Sequence, residues 1–208
     1  MRDAPRGRSL ESFELRPPQL VVEMDGSLAG LGCRLFSLDP LSGSEYLLSH
    51  MRAVLVEDLK GDSSYRNTME LMAVVWGLAG LGQLGFQNCG VRVRGDSETV
   101  LRWTCAPRGS FGSTRARGCL IAFVAVCRKF DFVIDREFQW IKGEDNCACD
   151  ALSRQVSFPL EELGVELVLE RQDELMHLCT PSNNPVGDVE LDRRFNLVME
   201  ALPTRGVA

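Results

Sequence analysis

Residues 20–56 divide into three short strand-like runs separated by glycine, proline and serine turns, and from Asn67 onward apolar residues recur at helical spacing. This change of period limits the chain to an antiparallel start followed by alternating helices and strands. Leu20–Leu28 reads as the first strand, with a turn at Gly30 and Gly32. Cys33–Leu38 reads as the second, and Glu45–Val56 as the third after Asp39-Pro40 and Ser42-Gly43-Ser44. Asp62-Ser63-Ser64 offers N-cap chemistry for a helix over Asn67–Leu84, whose apolar stripe holds Met69, Met72, Val75, Trp76 and Ala79. Gly77, Gly80 and Gly82 weaken that helix by up to about 1 kcal/mol each relative to alanine, so tight helix–sheet contacts or a fraying end are expected there. Val91–Gly95 is then a strand, Ser97–Trp103 a short helix, Ala106–Ser113 a loop and Thr114–Phe130 a long helix. Phe132–Ile141 is a fifth strand and Glu144–Arg154 a closing helix. The order β-β-β-α-β-α-α-β-α lets strands one, four and five pair in parallel through helical crossovers. The expected fold is therefore α/β, with a five-stranded mixed sheet flanked by helices.

Of the 208 residues, 45% are hydrophobic and 25% charged, which excludes wholesale disorder and fibrous repeats. A polar leader is expected over 1–19, one domain over 20–158 and an acidic tail with two short helices over 159–208. Disorder is the default expectation for that tail. No apolar run reaches a bilayer span, so no membrane partner is expected. The N-terminus lacks the apolar core of a signal peptide. The eight cysteines form no CxxC pair and several lie in apolar stretches, which favours reduced thiols in the cytoplasm or nucleus. Only His50 and His177 are present, both remote from Cys147 and Cys149, which argues against zinc. The net charge of −6 is unevenly placed: residues 159–208 hold ten acids and four bases, whereas 90–130 hold eight bases (Arg92, Arg94, Arg102, Arg108, Arg115, Arg117, Arg128, Lys129) against two acids. Such a patch permits a polyanion partner without demanding one. Trp76, Trp103 and Trp140 fall at core-like positions, where core filling is the simpler reading than base stacking.

Four acids stand where ligand sites form in parallel-centred sheets. Asp25 lies in the first strand in Val-Val-Glu-Met-Asp-Gly-Ser, Glu70 in the first helix, Asp96 at the end of the fourth strand, and Asp150 in the last helix. Singly, each reads more simply as a cap or a surface charge. Jointly, buried like charges must protonate or recruit cations, and an oxygen-only set suits Mg²⁺ or Mn²⁺. Two such ions about 4 Å apart suit phosphodiester cleavage.

On Met24-Asp25-Gly26-Ser27, Asn67-Thr68-Met69-Glu70-Leu71-Met72-Ala73, Arg94-Gly95-Asp96-Ser97 and Ile141-Lys142-Gly143-Glu144-Asp145-Asn146 leading to Cys149-Asp150-Ala151-Leu152-Ser153-Arg154, residues 20–158 resemble a ribonuclease H domain of the retroelement reverse-transcriptase type. The resemblance implies a ribonuclease H-like fold in which Asp25, Glu70, Asp96 and Asp150 are metal-binding catalytic acids that cut the RNA strand of an RNA–DNA hybrid with two Mg²⁺ or Mn²⁺ ions. It places Gly26, Ser27, Asn67 and Ser97 where the family contacts backbone and 2′-hydroxyl groups. The rival readings are a strand twist or bulge at Gly26-Ser27 and a helix cap at Asn67. Departures are the loop histidine of many cellular members, near whose place Glu144 stands, and the missing basic handle, for which Arg108, Arg115 and Arg117 are weaker substitutes. The implied partners are the hybrid and, as a candidate, a reverse-transcriptase polymerase domain, and a monomer is expected. Against the nuclease stand a non-catalytic nucleic-acid-binding or spacer module and a related polynucleotidyl transferase or DNA nuclease.

Overall fold

The computed structural model describes residues 16–55, 65–106, 116–159, 163–179 and 188–202. The expected Asp62-Ser63-Ser64 cap, Arg108, Arg115 and nearly all of the 1–19 leader lie outside them. Three antiparallel strands open the sheet: β1 (Pro18–Gly26), β2 (Gly30–Leu38) and β3 (Glu45–Val54). The first turn closes on Ser27, whose N–H donates to Gly30 O at 2.9 Å and whose hydroxyl accepts the N–H groups of Ala29 and Gly30. The second turn closes on Asp39, whose carboxylate accepts Leu41 N–H at 2.8 Å. β4 (Gly90–Gly95) then pairs in parallel with β1. The strand order is β3-β2-β1-β4, with β5 (Val133–Ile134) beyond β4, which is the expected mixed sheet.

The expected fifth strand is two short ones, β5 (Val133–Ile134) and β6 (Gln139–Trp140), both parallel to β4. Asp135 divides them: its N–H still reaches Val91 O at 2.8 Å, but its carboxylate accepts Glu137 N–H at 3.1 Å and turns the chain out of the ladder. Trp140 is accordingly not core, being 52% exposed, whereas Trp76 is buried and Trp103 half-buried.

One face of the sheet carries α1 (Arg66–Gln83), with Leu20, Val22 and Met24 pointing into it. The expected helix–sheet contacts are present at Gly77 and Gly80, where an added Cβ would strike Val22 and Met51, whereas Gly82 packs on Phe130, the last residue of the helix Arg117–Phe130. α2 (Glu98–Cys105) follows β4, and α3 (Arg117–Phe130) packs outside α1. On the other sheet face the expected closing helix is a 3₁₀ turn (Gly143–Asp145) and α4 (Cys147–Ser153), divided at Asn146.

The acidic C-terminal region is ordered where described, contrary to the expectation of disorder. α5 (Gln172–Cys179) and α6 (Asp188–Ala201) pack on α3. Leu169, Leu175, Met176, Cys179, Val198 and Leu202 belong to the same buried cluster as the sheet, so acidity on one face coexists with an apolar stripe on the other. Lys129 Nζ donates to Met199 O and Leu202 O, both at 2.7 Å, and so ties α3 to the C-terminal end of α6. Residues 165–167 lie along the β3 edge, with His50 N–H on Val165 O and Leu167 N–H on His50 O, which covers an otherwise open strand. All eight cysteines are free thiols, with Cys33, Cys119, Cys149 and Cys179 buried. Among the described residues no helix is long and apolar enough to cross a membrane.

Candidate active site

Period two along β1 puts Glu23 and Asp25 on the sheet face opposite α1, and both are buried. Glu23 is fully compensated: Arg34 Nε and Arg94 Nε each donate to it at 2.7 Å, and Arg94 also holds Glu45 at 2.8 Å. Asp25 has no cation of that kind. Its carboxylate accepts a short bond from the Ser153 hydroxyl of α4. Burial pushes its pKa up, the Ser153 bond opposes the rise, and repulsion from Asp96 and Asp150 adds to it.

Asp96 follows the last residue of β4, beside the end of β1 (Glu23 pairs with Arg94). Its carbonyl accepts the Trp140 indole N–H at 3.0 Å, and Gly143 of the 3₁₀ turn borders its carboxylate, where an added Cβ would lie 3.5 Å from Oδ2. Asp150 projects from α4, half exposed, with Arg154 Nε at 2.6 Å from its Oδ1. Asp25, Asp96 and Asp150 line one cavity of about 320 Å³ together with Gly26, Ser27, Arg66 and Arg154.

Glu70 approaches from α1. It is 5% exposed, its Oε2 is buried with no hydrogen-bond partner among the described residues, and Arg66 Nε stands 3.7 Å from its Oε1. Burial drives its pKa up to about 7, the Ser97 side chain opposes the rise by hydrogen bonding to it, and the charges of Asp96 and Asp25 reinforce it. The acids predicted from sequence therefore meet electrostatically. Their carboxylates nevertheless do not form a ready-made cage: among the described residues no three histidine, cysteine, aspartate or glutamate side chains stand close enough to hold a metal ion. Ser153 holds Asp25 and Arg154 holds Asp150 instead.

The donor set itself fits a hard divalent cation: oxygens only, mutually repelling, with one buried carboxylate oxygen unpartnered. Of the four expected substrate contacts, Gly26 is required by packing, because a Cβ there would collide with the backbone of Met69 and Glu70. Ser27 closes the β1–β2 turn and donates to Ser153 O at 2.8 Å. Ser97 is the N-cap residue of α2, and its side chain favours the charged form of Glu70. Asn67 is exposed in the first turn of α1 and is not its cap, since Tyr65 occupies that position. Glu144, exposed in the 3₁₀ turn, pairs with Lys142 at 3.5 Å.

Two positioning residues escape a reading by charge. Buried Asn146 donates from Nδ2 to Met24 O at 3.0 Å while its carbonyl accepts Asp150 N–H at 3.0 Å, so one residue ties the turn carrying Asp150 to the backbone beside Asp25. Ser153, three residues after Asp150, does the same from the end of α4. The only sequence signal for either was membership of the last motif.

No family model and no curated protein matches this sequence. Among solved structures, RNase H1 from the halophilic archaeon Halobacterium salinarum NRC-1 is similar, at 16% identity over 69% of this chain and 98% of that chain, with a TM-score of 0.46. That likeness is too distant to assign a reaction, which must come from the residues.

Proposed function

We propose that the chain is a metal-dependent endonuclease that hydrolyses the RNA strand of RNA–DNA hybrids with two Mg²⁺ or Mn²⁺ ions, and that it derives from a retroelement reverse transcriptase. The observation that supports this reading is that Asp25, Asp96 and Asp150, from separate elements, line one cavity, and that the charges of Asp96 and Asp25 also reach the buried Glu70 of α1. Acids so placed cost stability unless cations neutralise them.

These carboxylates are the residues that would hold the ions, which when bound activate a water and stabilise the leaving oxygen. The chain's own work is positional. Asn146 and Ser153 fix α4 against the end of β1, so that Asp150 faces Asp25. Trp140 braces the backbone at Asp96. Gly26 and Ser27 line the cavity, where these small residues leave room for a ribose–phosphate backbone. Asn67, exposed next to Arg66, is the side chain assigned to the 2′-hydroxyl, the group that marks RNA.

The test uses the full chain with labelled hybrid, duplex RNA and duplex DNA in Mg²⁺, Mn²⁺ or chelator. Cleavage of hybrid RNA only, dependent on the metal and abolished by Asp96→Asn, is expected. Cutting of duplex DNA points to a different polynucleotide reaction on the same scaffold, and tight hybrid binding without any cutting points to a binding module. Either result overturns the proposal.

A further inference from the structure

Two arginines share the cavity wall with the acids, and their geometry differs from that of the structural arginines on the same sheet. Arg34 and Arg94 are mostly buried and locked onto Glu23. Arg154 is 57% exposed and touches Asp150 through Nε alone; among the described residues no hydrogen-bond partner holds its terminal nitrogens. Arg66 is 72% exposed and reaches Glu70 only at 3.7 Å. The exposed Arg154–Asp150 pair, four residues apart on a helix, contributes little to stability, and Arg66 stands beyond hydrogen-bonding distance of the buried Glu70, so neither contact explains itself as a fold-stabilising bridge. Both guanidinium groups nonetheless face the cavity that Asp25, Asp96 and Asp150 line. A planar guanidinium with unengaged terminal N–H groups matches a phosphate oxygen pair.

We propose that Arg154 and Arg66 are exchangeable counter-ions: they pair with Asp150 and Glu70 in the free protein and turn to substrate phosphates once divalent cations neutralise those carboxylates. This rests on the hybrid-nuclease reading and deepens it, because it assigns the phosphate contacts of the same site. The arrangement keeps the acid cluster partly neutralised between turnovers. It also couples the two ligands, since each arginine is available to phosphate only after its carboxylate has another partner.

The two roles give effects of opposite sign. Arg154→Gln removes a competitor from Asp150, so Mn²⁺ alone, titrated calorimetrically into the full chain, binds between about 1.5-fold and fivefold more tightly. The same variant binds hybrid more weakly in Ca²⁺, with the RNA strand checked for integrity, and the slope of log affinity against log salt falls by about one. In chelator, where the arginine stays on Asp150, the slopes of wild type and variant coincide. Arg66→Gln behaves alike, and Arg154→Lys restores the slope. Equal slope differences with and without Ca²⁺ mean a fixed phosphate contact and overturn the exchange. An unchanged Mn²⁺ affinity, or no slope difference in either medium, overturns it too and leaves the nuclease reading intact. Failure of the wild type to bind hybrid at all is a different outcome, which removes that reading and this inference together.

Discussion

Glu23 and Asp25 stand two residues apart on one face of β1, yet burial asks opposite things of them. Glu23 sits between two arginines, and removing its charge leaves Arg34 buried without a carboxylate and Arg94 with Glu45 alone. Asp25 sits among other acids and a hydroxyl. Glu23→Gln is therefore expected to destabilise the metal-free protein by about 3–5 kcal/mol, whereas Asp25→Asn raises its stability by relieving repulsion. Urea unfolding of both variants in chelator reads the two signs, and like signs would contradict the assignment. Glu70 gives a pH signature. Its carboxyl is pushed from 4.5 to about 7 in the folded state, so the native protein binds the extra proton and the stabilisation is fully present below pH 4.5. It is lost as pH rises through 7, by roughly 3 kcal/mol over that window. Glu70→Gln should flatten this slope in thermal unfolding measured from pH 4.5 to 8, and a slope that persists places its origin elsewhere. In the sequence Glu23 and Asp25 were both acids interrupting an apolar run; what separates them is Arg34 and Arg94 on neighbouring strands, a register that periodicity does not reveal.

Element boundaries followed the sequence where the local code was strong. The opening antiparallel meander and the long α1 helix lie within a few residues of their expected limits, because turn chemistry and apolar spacing agree there. Two elements departed, each through one side chain. Asp135 bends the fifth strand into two, and Asn146 leaves its helix to bond Met24 O, ending one turn and starting α4. The α1 glycines test the reading of helix–sheet contact. Gly77→Ala drives a methyl into the branched Val22 and should cost about 1–3 kcal/mol despite alanine's helix propensity. Gly80→Ala meets the flexible end of Met51 and should cost less or nothing. Equal penalties in denaturant unfolding would mean that α1 does not sit on β1 at this distance.

At the scale of the molecule, the packing of the two expected C-terminal helices into the common core is the largest departure from the sequence reading. Net acidity suggested a solvated tail, but charge counts ignore the stripe of Leu175, Met176, Cys179, Val198 and Leu202 that lies on α3. Removing residues 159–208 should therefore lower the thermal midpoint and expose an apolar face that binds a hydrophobic dye. An unchanged midpoint would show that these helices are not part of the common core. The four acids were legible as a set because they fell on four separate elements in one order; the hydroxyl, amide and guanidinium groups around them were not, since each depends on where α4 lands. The most direct test of the whole account is calorimetric uptake of Mn²⁺ by the full chain with hybrid bound, compared between wild type and Asp25→Asn. Uptake by the wild type that the variant loses is the expected result. No uptake by the wild type, or equal uptake by both, would contradict the claim that mutual repulsion among these carboxylates makes a cation site.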